Sequence, residues 1–455
     1  MSILSNNNLL SKLLHARGDE LARNESLSLD TILSAVDSGR MVVLANPGHA
    51  GGIPTVVGQP ARVKINANIG TSMLVADEAM ERKKAHLAMA AGAHAVMDLS
   101  TAGNLPAIRR DILASLPLPL GTVPLYGVAQ RHIADGGDPS DFNEDEILSE
   151  IAAQAAAGVD FMTLHCGVTR RAAGLAAATG RITGIVSRGG SILGRFMQRH
   201  GRENPFLTRY DDILDICLTY NVTISLGDGL RPGCGADAGD GAQWEEVINL
   251  GRLAARAKER GVQTMIEGPG HVPLHLVQSQ IQAIKRLTGG APLYVLGPLT
   301  TDSAPGYDHI AGAVGGALAA YFGADFLCYL TPAEHLTLPS EQDVWDGVMA
   351  SRVAAQSAEA ALGRPWAAGR DLAMSRARAG LDWEAMAAQA LDPVLLRRRR
   401  AAHAVEKECA MCGALCALRM MPGEQTTCRR RTGEGPASGE ALSGHLPTEK
   451  PEAPL

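Results

Sequence analysis

Between about residues 60 and 345, short apolar or β-branched runs alternate with helical stretches, and each run ends in Gly, Pro, Asn, Asp or His. This alternation predicts a parallel sheet whose strands are joined by helices. Because the apolar runs are continuous, we expect helices to cover the sheet. The length fits a (β/α)8 TIM-like barrel, so the predicted fold class is α/β. Nine strands are candidates where eight are needed: 63–68, 95–99, 121–125, 161–165, 184–186, 222–226, 263–266, 293–296 and 325–329.

The predicted barrel, residues 61–345, is one of four parts of the chain. Residues 1–60 form a short N-terminal leader region with a strand candidate at 41–45, and we expect it to cover one end of the barrel. Helical patterns at 343–362 and 369–390 predict a small C-terminal helical domain over 346–420. Residues 421–455 are rich in Pro, Gly, Ser and Glu, which predicts a disordered tail.

Composition excludes several function classes. The 455 residues are 46% hydrophobic, 20% charged and only 4% aromatic, with a formal net charge of −6, which argues against a nucleic-acid surface. No apolar run approaches the ~18 residues of a membrane span. No secretory signal is apparent at the start, and the eight cysteines do not form a disulfide framework. These features predict a cytoplasmic protein that acts on a small molecule.

Polar side chains follow almost every candidate strand. In a barrel, the carboxyl ends of the strands meet around one volume, which is where active sites lie. A single residue such as His165 also fits a hydrogen-bonded core position, whereas the repeated pattern predicts a binding site. The residues are Asn66, Asn68, Asp98, Ser100, Tyr126, His165, Ser187, Arg188, Asp228, Arg231, Glu267, His271 and Tyr294.

Three Gly-rich segments, 187–191, 228–233 and 267–271, permit close approach of the main chain to a ligand. Glycine amides suit a phosphate, and Arg188 and Arg231 offer forked donors that match phosphate oxygens. Two tight turns with a structural salt bridge would explain the same residues.

Glu267, His271 and His335 are candidate metal ligands. Imidazoles suit zinc, and an incomplete protein set leaves space for substrate or water. The segment 297–310 adds Asp302, Tyr307, Asp308 and His309 as candidate proton carriers or hydrogen-bond donors. A zinc hydrolase, in which Glu267 and the histidines activate water, is one interpretation.

Cys409, Cys412 and Cys416 stand as C-x2-C-x3-C near the end of the helical region. A complete iron–sulfur site normally uses four protein ligands, so three thiolates leave one iron of a [4Fe-4S] cluster open. That iron could bind S-adenosylmethionine, and one electron would then yield a carbon radical. A Cys3His zinc site and a segment that binds no metal are the alternatives. A scaffold role with a zinc module would explain the cysteines but not the polar strand ends.

Eight sequence blocks together resemble the phosphomethylpyrimidine synthase family, in its short form, over residues 60 to 416. The blocks are KINANIG, VMDLST, GTVPLY, IVSRGGS, SLGDGLRPG, MIEGPGHVP, LGPLTTDSAPGYDHI and TPAEHL. The resemblance implies a (β/α)8 barrel and a radical S-adenosylmethionine enzyme of thiamin biosynthesis. The implied reaction converts 5-aminoimidazole ribotide to 4-amino-5-hydroxymethyl-2-methylpyrimidine phosphate and releases formate, CO, 5'-deoxyadenosine and methionine.

The resemblance also implies roles for particular residues. His271 and His335 would bind zinc or a similar divalent metal, and Cys409, Cys412 and Cys416 would hold the [4Fe-4S] cluster. A homodimer is implied, because the cluster segment in the family reaches over the active site of the neighbouring subunit. An external electron donor such as flavodoxin or ferredoxin is implied as well. The ribotide would be bound by Asn68, Met97, Tyr126, His165, Ser187, Arg188, Gly189, Asp228, Gly229, Leu230, Arg231, Glu267 and Tyr294.

Two features depart from the long members of the family. Those members carry C-x2-C-x4-C and a large additional N-terminal region, whereas this chain has a shorter cysteine spacing and a short leader. Because the chain has the short form, it also resembles a close relative, the 5-hydroxybenzimidazole synthase of anaerobic cobamide biosynthesis. That enzyme uses the same ribotide and is the alternative function.

Overall fold

The computed structural model describes residues 2–421 of the chain. Apart from Met421, the predicted tail at 421–455 lies outside the described residues, and so does Cys428. Within the described part, no helix is both long and apolar enough to cross a membrane.

The leader forms three helices and a two-stranded antiparallel sheet. Its strand β1 lies where a strand was predicted at 41–45 and pairs with β2. The elements are α1 (Ile3–Asn6), α2 (Asn8–Glu25), α3 (Leu29–Asp37), β1 (Val42–Leu44) and β2 (Thr55–Val57).

Eight parallel strands close into a barrel in which β10 pairs with both β3 and β9. The predicted TIM-like fold is therefore confirmed. Nearly all of the strand residues are buried, as expected for strands that are covered by helices on the outside and filled by side chains on the inside. The strands are β3 (Lys64–Ile69), β4 (Ala95–Asp98), β5 (Leu120–Thr122), β6 (Phe161–Leu164), β7 (Thr223–Leu226), β8 (Thr264–Glu267), β9 (Leu293–Leu296) and β10 (Phe326–Cys328).

Helices surround the barrel, and a polar side chain caps the start of most of them. The clearest cap belongs to α7, where Asn143 and Glu146 form a capping box. The helices are α4 (Glu78–Ala91), α5 (Leu105–Ser115), α6 (Pro124–Ala134), α7 (Glu144–Ala156), α8 (Arg170–Ala178), α9 (Arg188–His200), α10 (Pro205–Thr208), α11 (Tyr210–Tyr220), α12 (Gly241–Glu259), α13 (Val277–Leu287) and α14 (Asp308–Tyr321).

The leader covers the end of the barrel at which the strands begin. The side chain of Gln263, just before β8, accepts a hydrogen bond from Val43 N at 2.7 Å and donates to Val43 O at 3.0 Å. Asp160, just before β6, accepts from Asn46 N at 2.8 Å. The opposite end of the barrel, where the strands end, is therefore the end available for a site.

The candidate strand at 184–186 was wrong. Gly184, Ile185 and Val186 form a loop that leads into α9. Side chains rather than a neighbouring strand bind the main chain here: Asp237 accepts from the N atoms of Ile182 and Thr183, just before the segment, and Arg181 NH1 donates to Gly184 O at 3.3 Å. Local β-branched composition does not make a strand where no neighbouring strand can pair.

Within the described residues, five α-helices follow the barrel. The predicted continuous helix at 369–390 is two helices, because Leu381 takes a left-handed conformation with φ 52° and Asp382 caps the second one. Helix α15 packs against α14 and α4. The helices are α15 (Glu341–Ala361), α16 (Pro365–Ala379), α17 (Trp383–Gln389), α18 (Pro393–Arg400) and α19 (Ala417–Met420).

Candidate functional site

A cavity lies at the end of the barrel where the strands end, and it contains about 480 Å³ of space, part of it open to solvent. Eight of the thirteen predicted ribotide-binding residues line it. They are Asn68, Met97, Tyr126, His165, Asp228, Arg231, Glu267 and Tyr294. The walls are completed by Leu99, Val123, Thr163, Gly268, Leu296 and Cys328. The predicted convergence of polar strand ends is therefore observed.

The other predicted binding residues lie on two turns beside this cavity. Ser187 caps α9 by accepting a hydrogen bond from Gly190 N at 3.2 Å, and Arg188 and Gly189 begin that helix. The first amides of a helix have no intrahelical acceptor, so they suit an anion. The guanidinium carbon of Arg188 lies 4.8 Å from the ring centroid of Tyr126, which is a cation–π geometry. Gly229 and Leu230 form the second turn.

Two glycines allow these turns to approach their neighbours. A Cβ atom on Gly189 would overlap the imidazole ring of His165, and one on Gly190 would overlap the carbonyl of Gly229. Neither overlap involves the flexible end of a long side chain. Glycine at these positions is therefore required to hold the start of α9 against both His165 and the second turn.

His165 is an uncharged side chain at the base of this arrangement. Burial lowers the pKa of His165 to about 3, and the nearby Arg231 guanidinium acts in the same direction. Its Nε2 atom lies 3.3 Å from Ser187 Oγ, and its buried Nδ1 atom has no hydrogen-bond partner among the described residues. A neutral imidazole with an unused ring nitrogen can bind a polar ligand without adding charge.

Three ionisable groups, Asp228, Arg231 and Glu267, form one wall of the cavity. Burial raises the pKa of Asp228 well above its usual range, although Arg231 NH1 donates to its Oδ1 atom at 2.8 Å. Burial also opposes the charge of Arg231, but the carboxyls of Asp228 and Glu267 raise the pKa of that guanidinium. Glu267 Oε1 accepts hydrogen bonds from the hydroxyls of Thr163 at 2.7 Å and Ser225 at 3.2 Å. Arg231 therefore keeps its positive charge in the cavity wall.

A hydrogen-bonded chain of neutral side chains forms the opposite wall. Asn66 Nδ2 donates to Tyr294 Oη at 2.7 Å and to Asn68 Oδ1 at 2.8 Å, and Asn68 Nδ2 donates to Cys328 Sγ at 3.0 Å. Burial raises the pKa of the Cys328 thiol to about 12. This thiol is therefore protonated at neutral pH.

Sequence reasoning missed Thr163 and Cys328 as lining residues. Thr163 stands two positions before His165, and the two-residue period of a strand could have placed both side chains on the inner face. Cys328 gave a weaker signal, because a cysteine in an apolar strand fits an ordinary core position equally well. Its location at the end of β10, next to Asn66 in the parallel register, places it in the cavity wall.

His271 and His335 form a pair at the mouth of the barrel, with ring centroids 5.4 Å apart. His271 Nδ1 lies 2.8 Å from Asp302 Oδ1, and His335 Nδ1 lies 3.2 Å from Asp308 Oδ1. A carboxylate at Nδ1 orients an imidazole so that Nε2 is available to a metal, which is the usual arrangement in zinc sites. Burial lowers the pKa of His271, so its neutral, metal-binding form is favoured.

Glu267 does not complete this pair. Its carboxylate is used by Thr163 and Ser225, and within residues 2–421 no three His, Cys, Asp or Glu side chains form a metal-binding group. Asp302 and Asp308, predicted as proton carriers or hydrogen-bond donors, lie at the Nδ1 atoms of the two histidines. The residues fit a divalent ion held by two imidazoles with its other positions open to ligands from outside this set.

A second cavity adjoins the first and shares Asn68 and Leu99 with it. Its other lining residues include Lys84, Arg188, Glu334 and His335. Burial raises the pKa of Glu334, which lies next to His335 in the sequence. The mouth of the barrel therefore offers two adjacent volumes, and His335 of the histidine pair lines the second.

The three cysteines lie on one tight segment after α18. Gly413 N donates to Cys409 O at 3.1 Å, and Cys416 N donates to Gly413 O at 3.1 Å. Hydrogen bonds from the main chain at Cys412 and Met411 lower the pKa of the Cys409 thiol, which favours the thiolate that binds metals. The three thiols do not form a metal-binding group within residues 2–421, so the predicted cluster site rests on the C-x2-C-x3-C spacing.

The cysteine segment is not part of the cavity walls of its own chain. The residues that line the two cavities all lie between 68 and 339. Trp383 Nε1 donates to Lys407 O at 2.9 Å, and the Arg400 guanidinium carbon lies 4.2 Å from the Trp383 ring centroid. These contacts hold the segment against α17.

Comparison with known proteins identifies the family. A family model described as the radical SAM ThiC family matches residues 12–423. The chain belongs to the radical SAM ThiC family. The predicted resemblance to phosphomethylpyrimidine synthases and the prediction of a radical S-adenosylmethionine enzyme are thereby confirmed. Membership of a radical SAM family implies a [4Fe-4S] cluster and S-adenosylmethionine as cofactors.

Curated relatives in the radical SAM ThiC family are similar over nearly their whole length. The phosphomethylpyrimidine synthase of Methanocaldococcus jannaschii is 47% identical over 88% of this chain and 94% of that protein. The enzyme of the same name from Desulforudis audaxviator is 48% identical over 89% and 94% of the two chains. Among solved structures, a dihydropteroate synthase from Coxiella burnetii has 11% identity and a TM-score of 0.40 over 67% of this chain and 96% of that one.

Proposed function

We propose that the chain converts 5-aminoimidazole ribotide to 4-amino-5-hydroxymethyl-2-methylpyrimidine phosphate, with release of formate, CO, 5'-deoxyadenosine and methionine, and that it does so in the cytoplasm. The observation that carries the proposal is the joint presence, at one end of the barrel, of an anion-binding helix start, a charged cavity wall and a histidine pair. Relatives at 47–48% identity are named for the pyrimidine phosphate product.

The phosphate of the ribotide would bind at the start of α9. The amides of Arg188 and Gly189, with the hydroxyl of Ser187, would donate to its oxygens, because the helix start carries unpaired donors and a partial positive charge. Arg231, which keeps its charge, would face the same phosphate from the second turn. A ligand without the phosphate would lose these charge-assisted bonds, each worth about 1.5–3 kcal/mol.

The imidazole and ribose would occupy the first cavity. Glu267 is fixed by Thr163 and Ser225, so its carboxylate can accept hydrogen bonds from ring or amino N–H groups without reorganising. Neutral His165 and the Asn68–Cys328 wall would surround the sugar. Once the mouth of the cavity is covered, these groups would hold reactive fragments away from water.

Each cofactor would be held by residues already described. Cys409, Cys412 and Cys416 would bind the [4Fe-4S] cluster, and His271 and His335 would bind zinc or a similar divalent ion. When bound, the cluster supplies the electron that cleaves S-adenosylmethionine to methionine and a 5'-deoxyadenosyl radical. The second cavity, which shares Asn68 and Leu99 with the first, would receive the adenosyl group beside the ribotide.

A homodimer is part of the proposal. The cluster must stand next to the substrate, yet the walls of both cavities come from residues 68–339 of the same chain and the cysteines lie on the segment held by α17. The cysteine segment of one protomer would therefore close the barrel mouth of its partner. The cluster would receive its electron from an external carrier such as flavodoxin or ferredoxin.

Product analysis tests the proposed reaction. Reconstituted protein would be incubated without oxygen with the ribotide, S-adenosylmethionine and a reductant, and the products would be identified by mass. We expect the pyrimidine phosphate together with 5'-deoxyadenosine. Hydroxybenzimidazole would assign the chain to the alternative reaction, and a colourless zinc-only protein that hydrolyses a substrate would contradict radical chemistry.

A further inference from the structure

Arg181 is a buried arginine in the loop between α8 and α9, where its side chain is only 1% exposed. It forms a two-pronged ion pair with Asp240, with Nε to Oδ2 and NH2 to Oδ1 both at 2.7 Å. Asp240 also caps α12, since its Oδ1 atom accepts from Gln243 N at 2.9 Å. The guanidinium is therefore anchored to the start of a long helix.

The remaining donors of Arg181 reach the main chain of the second turn and of the segment that leads into the first turn. NH2 donates to Leu230 O at 2.7 Å, and NH1 lies 3.5 Å from Arg231 O and 3.3 Å from Gly184 O. Leu230 and Arg231 belong to the second turn, and Gly184 lies on the segment that enters α9 at Ser187. One planar cation thus connects the second turn to the segment that leads into the first turn.

Arg181 is not one of the residues that would contact a ligand. Its side chain is buried among carbonyl and carboxylate oxygens, and it is not one of the residues that line either cavity. Five directed donors in one plane are a property of arginine, and lysine offers a single ammonium group that cannot satisfy the same acceptors. Its effect on a ligand must therefore pass through the position of the turns.

We propose that Arg181 is a positioning residue that fixes the spacing between the two phosphate-binding turns and so sets the preference for a phosphorylated ribotide over its riboside. This inference rests on the proposed function, because it assigns the phosphate to the turns at Ser187–Gly189 and Asp228–Arg231. The ion pair with Asp240 determines where the carbonyls of Leu230 and Arg231 lie, and those carbonyls determine the direction of the Arg231 side chain.

Binding measurements with Arg181→Lys test the proposal. Dissociation constants for 5-aminoimidazole ribotide and for the riboside without phosphate would be measured by calorimetry on intact protein, with turnover measured in parallel. We expect the ribotide to bind about tenfold more weakly, the equivalent of about 1.4 kcal/mol, while the riboside affinity stays unchanged. We also expect KM to rise with little change in kcat. Millimolar guanidinium should partly restore the ribotide affinity of Arg181→Ala.

A matched control is Arg171→Lys. Arg171 precedes the same loop and pairs with Glu245 of the same helix α12 at 3.3 Å, but its side chain is 78% exposed and the pair does not touch the turns. Arg171→Lys should keep the wild-type preference for the ribotide over the riboside. If Arg181→Lys does not fold, Asp240→Asn replaces it, because asparagine still caps α12 while the ion pair is lost.

The outcomes separate the two proposals. If wild-type protein binds ribotide and riboside equally, the phosphate site and the proposed substrate are wrong. If the wild type prefers the ribotide and Arg181→Lys keeps that preference, the inference about Arg181 alone is overturned. Equal weakening of both ligands, with a lower melting temperature, would indicate a purely structural role and would also overturn it.

Discussion

His271 and His335 lie with their ring centroids 5.4 Å apart although 64 positions separate them in the chain, and a different aspartate binds the Nδ1 atom of each. They follow two different barrel strands, β8 and β10, that are not neighbours in the sheet. Paired imidazoles with fixed Nδ1 atoms present two Nε2 ligands, so the arrangement supports a second metal that is distinct from the cluster.

His271→Ala should remove this second metal, because a single imidazole cannot replace a pair of ligands. Elemental analysis of purified protein measures the result, and the iron of the cluster should be unaffected. Exposed His275, four positions away on the turn Leu274–Leu276, provides the control, and His275→Ala should retain the metal. Asp302→Asn should weaken the metal about 10- to 100-fold through loss of the oriented tautomer. Unchanged zinc content in His271→Ala would remove this residue from the metal site.

Cys412→Ser should abolish formation of 5'-deoxyadenosine while the barrel remains folded. Serine does not replace a thiolate as an iron ligand of comparable strength, and the exposed cysteine lies far from the core. Absorbance near ~400 nm and cluster spectroscopy on oxygen-free protein give the readout. Cys234→Ser, in a loop of the barrel, should keep both the cluster and the activity. Normal turnover by Cys412→Ser would exclude the cysteine from the cluster.

Gly189→Ala should weaken ribotide binding, because the added methyl group would overlap the His165 ring and push α9 away from the second turn. Gly194→Ala is the matched control in the same helix. Its Cβ atom would come no closer than 3.5 Å, to Ile185, so alanine should stabilise the helix by up to about 1 kcal/mol. Calorimetric affinity and melting temperature distinguish the two effects. Equal ribotide affinity in both variants would contradict the close packing of this turn.

His165 should make the fold less stable in mild acid. Its folded pKa of about 3 lies below the ordinary value of 6.5, so between these values the unfolded chain binds a proton that the folded chain does not. The contribution of neutral His165 to the free energy of unfolding is therefore fully present above pH 6.5. Below that pH the free energy of unfolding falls by about 1.4 kcal/mol per pH unit.

Urea unfolding at pH 7.5 and 5.5 tests this dependence. The loss of unfolding free energy between the two pH values should be smaller in His165→Gln than in the wild type by about 1 kcal/mol. Buried His94, whose pKa burial also lowers to about 3, remains in both proteins and contributes equally. An identical pH dependence in the two proteins would show that His165 is not held neutral by burial.

The barrel could be predicted from the sequence because its strands are buried on both faces, which leaves continuous apolar runs. The prediction at 184–186 was wrong because Ile185 and Val186 fit a strand locally, whereas in the fold no strand pairs with them and Arg181 binds Gly184 O. The break after Ala379 depended on a left-handed Leu381, a conformation that local composition does not predict.

The sequence by itself determined that this chain forms a barrel with polar strand ends, Gly-rich turns and a three-cysteine segment, because burial patterns, turn residues and motif spacing are local properties. Only the tertiary structure decided which groups meet. The aspartates at the histidines, Cys328 in the cavity wall and Arg181 at the second turn come from distant parts of the chain. Closure of the barrel brings these residues close together, and only then can they form ion pairs and hydrogen bonds with one another.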